Sequence, residues 1–545
     1  MTIVRSFPRI ESAVFYLLLA ANLIPLWSVH YFLTGDGPCH LYNAKVLLDM
    51  YHSAELKAFY NPWLGINYFF EPNWFSHAAL EMMMGVGVAP YLAEKFLQTF
   101  YVLAFGLGLR YLIRQINPAG LFMSSFGLLL CYHHVYQMGF YNYSCSLAIM
   151  FWVVGYWLRH RSDWTTGRML LQGLGFLALY FCHPVGLFFA FLLIGSVLLA
   201  DLLAETREKR PVREVFHVLR QKIIALTVSA LPVLVLLAQY VFKKGINPTP
   251  RSESDSQIWE EMYRFTALST MMQAEKKTAL LVAGLFLALA LGALTIKTRS
   301  KRLLWTDALF VVFGLTLLIY FRQPGGIAGA GILPIRLQLL PYLMLLLWLA
   351  SVEFPKWIRL ATLVFSIAAL AALMSIRIPH NRMASDAAED LVSAAAVIPD
   401  RVSVLPISFD HNGRHANGEE VADAIWLFVH AADYIGTQRQ VIMLDNYEAA
   451  TPNFPLSWRR ERNPYNCLEK DGNNFEGQPP YADFLHYPEN SNNASVDYVV
   501  TWCLDRKKFG DHPFVEHIRQ QLDEGYDLVY TSGTGLVKVF KSKRL

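Results

Sequence analysis

Thr278–Ile296, TALLVAGLFLALALGALTI, is a charge-free run of nineteen residues between Lys276-Lys277 and Lys297. A helix of about 20 residues spans the roughly 30 Å hydrocarbon core of a bilayer, and an all-round apolar helix of that length has no natural place on a soluble surface. Comparable runs recur from Ser12 to Ile376. Composition agrees: 54% hydrophobic and 14% aromatic residues in a chain of 545 exceed what one soluble core needs. The fold class is therefore mostly α, a polytopic helical membrane bundle of about eleven transmembrane helices. They are expected near 12–33, 94–114, 119–137, 142–158, 168–182, 184–202, 223–242, 278–296, 303–320, 333–351 and 357–376. Ala13 to Leu33 follows Arg5 and Arg9 and lacks a small-residue cleavage site, so it reads as a retained helix rather than a signal peptide. Trp74 to Val88 is punctuated by His77 and Glu81 and broken by Gly85, Gly87 and Pro90, and is expected to lie in the interface without crossing.

Lys and Arg near helix ends favour the cytoplasmic side. The clusters Arg110 with Arg114, Arg159 with Arg161 and Arg168, Arg207 through Lys222, Lys297 through Arg302, and Lys356 with Arg359 all fall on one side in this assignment. That puts the N-terminus inside and the C-terminus outside, in an integral membrane protein of the bacterial inner (cytoplasmic) membrane. Two long loops then face out, Thr34 to Ala93 and Lys243 to Lys277, while a charged amphipathic stretch from Arg207 to Leu219 is expected on the inner leaflet. After Ile376 the chain turns rich in Asp, Asn, Pro and Gly, which sets a boundary near Pro379. Residues 1–378 form the transmembrane domain and 379–545 a periplasmic soluble α/β domain. Its strands are expected at Val402 to Ile407, Val441 to Leu444, Val496 to Trp502, Tyr526 to Ser532 and Leu536 to Phe540, with helices at Glu419 to Ile435 and Phe514 to Glu524. Gly533-Thr534-Gly535 suits a hairpin turn, and Cys467 with Cys503 are candidates for a disulfide. Cys39, Cys131, Cys145 and Cys182 read as buried thiols.

Polar residues gather at the expected outer ends of the helices, where ionisable groups are costly unless they face a cavity or a partner. They are Asp36 and His40, then Glu71, Asn73 and His77, then His133 and His134 ahead of Gly139-Phe140-Tyr141-Asn142, and finally His183-Pro184, Arg322 and Arg336. Each also has a structural reading. Asp36 precedes Gly37-Pro38 and a helical stretch, so it suits an N-cap. His133, His134, Tyr141 and Tyr143 suit an aromatic belt, and Arg336 suits snorkelling. An outward Arg opposes the positive-inside trend, which favours an anion-binding role for Arg336.

Asp36-Gly37-Pro38-Cys39-His40-Leu41 after the first helix, the long outer loop, Gly139-Phe140-Tyr141-Asn142, His183-Pro184, Arg336 and a soluble C-terminal domain together resemble the GT-C superfamily of membrane glycosyltransferases. The resemblance implies transfer of a sugar from a polyprenyl-phosphate carrier to a lipid, glycan or protein acceptor on the outer face. Asp36 would be the base and Arg336 the phosphate partner, with Glu71, His40 or His77 as alternative bases. His77, His133, His134, Tyr141, Asn142, His183 and Arg322 are the further candidates for substrate contact. Asp36 is followed by Gly37 rather than Glu, so protein O-mannosylation is not implied, and the Trp-Trp-Asp motif of oligosaccharyltransferases is absent. No Asp-x-Asp triplet occurs, which argues against a metal-bound nucleotide sugar. No cofactor is firmly implied; a divalent metal ion between carboxylate and phosphate is possible, without a ligand spacing to fix it. The partners are membrane lipid and the lipid-linked sugar, with no nucleic acid. A transporter or flippase, or a non-catalytic assembly protein, are the alternatives, and the C-terminal domain is expected to be accessory to the chemistry.

Overall fold

The computed structural model describes residues 2–67, 70–207, 212–300, 304–327 and 331–545. Parts of two expected features lie outside the described residues: the stretch from Arg207 to Leu219 and the basic cluster at Lys301-Arg302. Among the described residues, eight helices are long and apolar enough to cross a membrane. They cover Phe7–Trp27, Pro90–Ile116, Pro184–Glu205, Leu219–Lys244, Gln273–Ser300, Trp305–Arg322, Leu333–Ala350 and Lys356–Ala396. The chain is an integral membrane helical bundle with a C-terminal α/β region.

The expected count of about eleven exceeds these eight, for local reasons. The segments near 142–158 and 168–182 do form helices, Tyr141–His160 and Thr166–Cys182. The first, however, opens on the polar run Tyr141 to Ser146, and the second has only 17 residues. The helix expected over 119–137 is a correction: it breaks into short pieces, Phe122–Gly127, Leu128–Leu130 and His134–Gln137. These residues are buried among other helices. An apolar run packed inside the bundle has the composition of one facing lipid, so hydropathy does not separate them. Phe75–Gly85, expected not to cross, is an 11-residue helix.

Burial grades the spans. Only 22% of the most apolar eighteen-residue stretch of Leu219–Lys244 and 28% of that of Gln273–Ser300 is buried, leaving Leu231, Phe242, Leu281 and Leu287 on an apolar outer surface suited to lipid, whereas Leu333–Ala350 is 89% buried and forms the centre. The last helix, Lys356–Val392, has 37 residues. It is about 55 Å long at 1.5 Å per residue, more than the bilayer core. It runs unbroken through Pro379, so the expected boundary falls inside a helix that carries the chain into the C-terminal region.

Seven strands are numbered in chain order: β1 (Leu64–Ile66), β2 (Ser403–Ser408), β3 (Ile442–Met443), β4 (Leu456–Trp458), β5 (Tyr498–Trp502), β6 (Tyr526–Thr531) and β7 (Val537–Ser542). Five form one sheet in the order β3-β2-β5-β7-β6, with β2 parallel to β3 and β5, and β7 antiparallel to β5 and β6. All five expected strands are present, as is the helix Pro513–Gly525. The helix expected over Glu419 to Ile435 is not: only Asp433–Gln438 is α-helical there. The N–H groups of Asp423 and Ala424 both donate to Met271 O, and tertiary contacts override local propensity. The expected Cys467–Cys503 disulfide is also absent, since all six cysteines are free.

The first long loop and the C-terminal region are joined directly. β1 pairs antiparallel with β4, Leu64 opposite Trp458. The Tyr42 hydroxyl donates to Val441 O at 2.9 Å and accepts from Met443 N at 3.0 Å. These contacts put both segments on one side of the membrane. Lys57→Cys and Glu489→Cys, each exposed and placed in a Cys467→Ser background, should therefore respond alike to a membrane-impermeant thiol reagent in intact cells. Labelling of one without the other would contradict the fold.

Candidate functional site

Asp36 sits where the chain leaves the first span, and a close backbone approach fixes it. Gly35 N donates to Gln137 O at 3.0 Å and Asp36 N to Met138 O at 2.8 Å. Gly139, at φ +93°, lies so near that a Cβ there would be 2.5 Å from Asp36 N, which only glycine tolerates. Asp36 heads the helix Gly37–His52, but its φ of −94° and ψ of −9° are helical, and its side chain makes no capping hydrogen bond. An N-cap needs extended dihedrals and an accepting side-chain oxygen, so capping does not explain the residue. Its carboxylate instead faces the Tyr447 hydroxyl and His430, whose Nε2 is 3.9 Å away. Burial pushes the Asp36 carboxyl up to about 6, against the opposing pull of His40 and Tyr447. Gly37 follows because a Cβ there would come within 2.5 Å of Thr34 Oγ1, Tyr141 Oη and Glu94 Oε1.

Four residues on, His40 presents Nδ1 to Glu448 Oε1, and His77 Nε2 meets Glu448 Oε2 at 2.8 Å. Asn43 Nδ2 donates to Glu448 Oε2 at 2.6 Å. All four side chains are buried. Glu448 lies in the short helix Tyr447–Ala450, where Asn446 Oδ1 accepts from Ala449 N. The Asn446 and Asn43 amides bond each other reciprocally at 2.7 and 3.1 Å, fixing the register between the two segments. Burial alone would raise the Glu448 carboxyl, but His40 and His77 outweigh it and hold it well below the usual carboxylate range. Burial works against protonation of His40, yet Glu448 outweighs it and raises His40. The donor atoms of His40, His77 and Glu448 lie within 4.8 Å of one another, a set that a divalent ion of the Zn²⁺ or Mn²⁺ type fits by ligand chemistry.

A cavity of about 270 Å³ lies beside this cluster, with Asp36, His40, Asn142, His183, Arg336 and Tyr447 in its wall. Arg336 comes from the first turn of the central helix and does not snorkel. Its guanidinium packs over the Phe140 ring at 4.7 Å and reaches His183 Nε2 at 3.2 Å, while Nε is buried without a partner. Among the described residues, no carboxylate lies within 4 Å of it. The Tyr143 hydroxyl donates to Arg336 O, and Asn142 is pinned by Ser76 N at 2.8 Å and Asn73 O at 3.0 Å. The arrangement is a carboxylate and a guanidinium without a carboxylate partner lining one cavity, suited to a neutral polar group beside the one and an anion beside the other.

The other candidates go elsewhere. Glu71 is ion-paired with Lys243 and with Lys244 at 3.2 Å, outside the cavity wall, so it is not placed to act as a base. His133 is buried and caps a helical turn through Tyr136 N at 3.2 Å. His134 bonds Ser269 O at 3.0 Å and faces other cavities. Tyr141 is buried between Thr34, Gln98 and Glu94. None of these three forms an interfacial belt. Arg322 is exposed at a helix end, and His77 reaches the site only through Glu448. Tyr447 and Glu448 are not among the residues the sequence singles out, and the C-terminal region, expected to be accessory to the chemistry, supplies wall and charge beside the cavity. Asn446-Tyr447-Glu448 follows a two-residue strand and matches no motif, so nothing in the chain singles it out.

No family model and no curated protein matches the chain. Among solved structures it is similar to the crystal structure of ArnT from Cupriavidus metallidurans in the apo state, at 11% identity over 96% of this chain and 97% of that chain, with a TM-score of 0.39.

Removing the carboxylate that two imidazoles and an amide share leaves buried polar groups unpaired, which costs on the order of 3–5 kcal/mol. Glu448→Ala should therefore lower the midpoint of thermal unfolding in detergent by several degrees, whereas the exposed Glu489→Ala should leave it unchanged. A Glu448→Ala protein as stable as the parent would show that the cluster does not hold the two segments together.

Proposed function

We propose that the chain is a membrane glycosyltransferase that moves a sugar from a polyprenyl-phosphate carrier to an acceptor hydroxyl, on the face that carries the first long loop and the C-terminal region. That face is the extracytoplasmic one by the distribution of Lys and Arg. The observation that carries the reading is the sharing of one cavity by Asp36, released from any capping duty, and Arg336, released from any carboxylate.

Displacing a phosphate from an anomeric carbon needs a base for the incoming hydroxyl and a cation for the leaving group. Asp36 takes the proton from the acceptor hydroxyl as it attacks. A carboxyl held at about 6 is largely ionised at neutral pH yet more basic than an ordinary aspartate. The Arg336 fork binds the phosphate oxygens as the glycosidic C–O bond breaks and negative charge gathers there. Val185, Ile327 and Leu333 give the same cavity apolar wall for the carrier's isoprenoid chain. His183, bonded to Arg336, aims the guanidinium, and Tyr447 sits against the Asp36 carboxylate. The His40–His77–Glu448 set is where a divalent ion would bind if the reaction uses one.

Asp36→Asn keeps the size of the side chain and removes the base, so transfer by purified protein should fall by roughly 10²–10⁴-fold with the carrier still bound. Arg336→Ala should weaken carrier binding and turnover together, and Arg336→Lys should restore only part, because a point charge replaces a paired donor. An Asp36→Asn enzyme working at near the parent rate would remove Asp36 from the chemistry.

A further inference from the structure

Next to Asp36, whose carboxylate is 3.9 Å from His430 Nε2, the C-terminal region holds a second group of side chains of metal-ligand type. Asp433 opens the helix Asp433–Gln438, Asp445 follows β3, and His430 lies in the turn before them. One ligand atom from each lies within 4.8 Å of the others, and all three side chains are buried, Asp433 completely and Asp445 to within 2%. None of the four carboxylate oxygens accepts a hydrogen bond from a donor group, and His430 Nδ1 has no partner; Asp433 and Asp445 lie close enough to bond each other if one of them is protonated. The Cys39 thiol flanks Asp433, but its single hydrogen is directed at Asn446 Oδ1, 3.4 Å away. Nearby cations are committed elsewhere, since Lys508 and Arg414 both pair with Asp410. Glu476 Oε1 adds a further carboxylate 3.8 Å from His430 Nδ1.

Two buried carboxylates with nothing to satisfy them must share a proton or hold a cation, because leaving both ionised and bare is prohibitively costly. Burial pushes both carboxyls up. The unpartnered imidazole nitrogen beside them favours a cation, since a shared proton gives Nδ1 nothing to bond, while a metal ion gives all three groups one partner. We propose that His430, Asp433 and Asp445 form a divalent metal site, with Glu476 in reach as a fourth ligand. One nitrogen with two or three carboxylate oxygens is a borderline to hard donor set, of the kind that takes Mn²⁺ or Zn²⁺. Ligands bound at about 2.1 Å lie roughly 3–4 Å apart, so the present spacing closes with small rotamer changes. Coordination through Nδ1 leaves the imidazole proton on Nε2, the nitrogen that faces Asp36 at 3.9 Å. The ion would thus make His430 a positioning residue for Asp36, and the site stands whether or not the protein transfers sugar.

The test is Mn²⁺ binding to the full-length protein in detergent, stripped with EDTA and titrated with MnCl₂ alone, read by electron paramagnetic resonance. The His40–His77–Glu448 set, whose carboxylate holds the two regions together, is left intact, and the second site is read by difference. We expect bound Mn²⁺ with a histidine ¹⁴N coupling in the parent, and one equivalent fewer when Asp433→Asn and Asp445→Asn are introduced together. Absence of bound Mn²⁺ in the parent, or an equal number bound after the two Asp changes, overturns the proposal and leaves an acid pair sharing a proton. Should the combined variant fail to fold, His430→Gln in the parent decides: loss of one equivalent supports the site, and unchanged stoichiometry overturns it.

Discussion

The Glu448 carboxylate, buried between His40, His77 and Asn43, is the interaction on which the rest of the site depends. A charge in that position is tolerable only because two imidazoles and an amide surround it. The three partners come from the loop after the first span, and the carboxylate comes from a region about four hundred residues later in the chain. Satisfying one another's desolvation therefore forces the loop and the C-terminal region together. Tyr447, adjacent to Glu448, is carried by the same contact against Asp36.

Around that contact, several weaker constraints act in the same direction. The β1–β4 ribbon, Tyr42 against β3, and the Glu94 carboxylate accepting from both Tyr141 and Tyr434 at 2.7 Å join the same two regions. On the membrane side, the approach of Gly139 to the Asp36 backbone and the burial of Leu333–Ala350 hold Asp36 and Arg336 in the wall of one cavity. A preorganised site of this kind avoids reorganisation when charge develops, which is where electrostatic catalysis gains most. Asp36 and Arg336 share the wall of this cavity with Tyr447, Thr451, Asn453 and Phe454 of the C-terminal region.

Much of this was legible in the sequence, because it rests on local composition. Charge-free runs marked most of the membrane helices, alternating β-prone runs marked the sheet, and Asp36 and Arg336 stood out as ionisable groups where hydrophobic ones were expected. What could not be read depends on tertiary partners. The segment 119–137 looks like one continuous helix because hydropathy does not register the breaks that divide it into Phe122–Gly127, Leu128–Leu130 and His134–Gln137. Cys467 and Cys503 looked paired because spacing says nothing about distance. Glu71 looked available, since Lys243 and Lys244 lie far away in the chain, and Glu448 looked ordinary because its importance comes entirely from three residues of another segment.

The most direct measurement is a structure of the protein in lipid nanodiscs with polyprenyl phosphate bound. The phosphate should lie against the Arg336 guanidinium in the cavity shared with Asp36, its isoprenoid chain running past Val185, Ile327 and Leu333. A carrier whose phosphate sits elsewhere, for example on Lys243 and Lys244 beside Glu71, with the Asp36–Arg336 cavity left empty, would contradict a sugar-transfer site between those two residues.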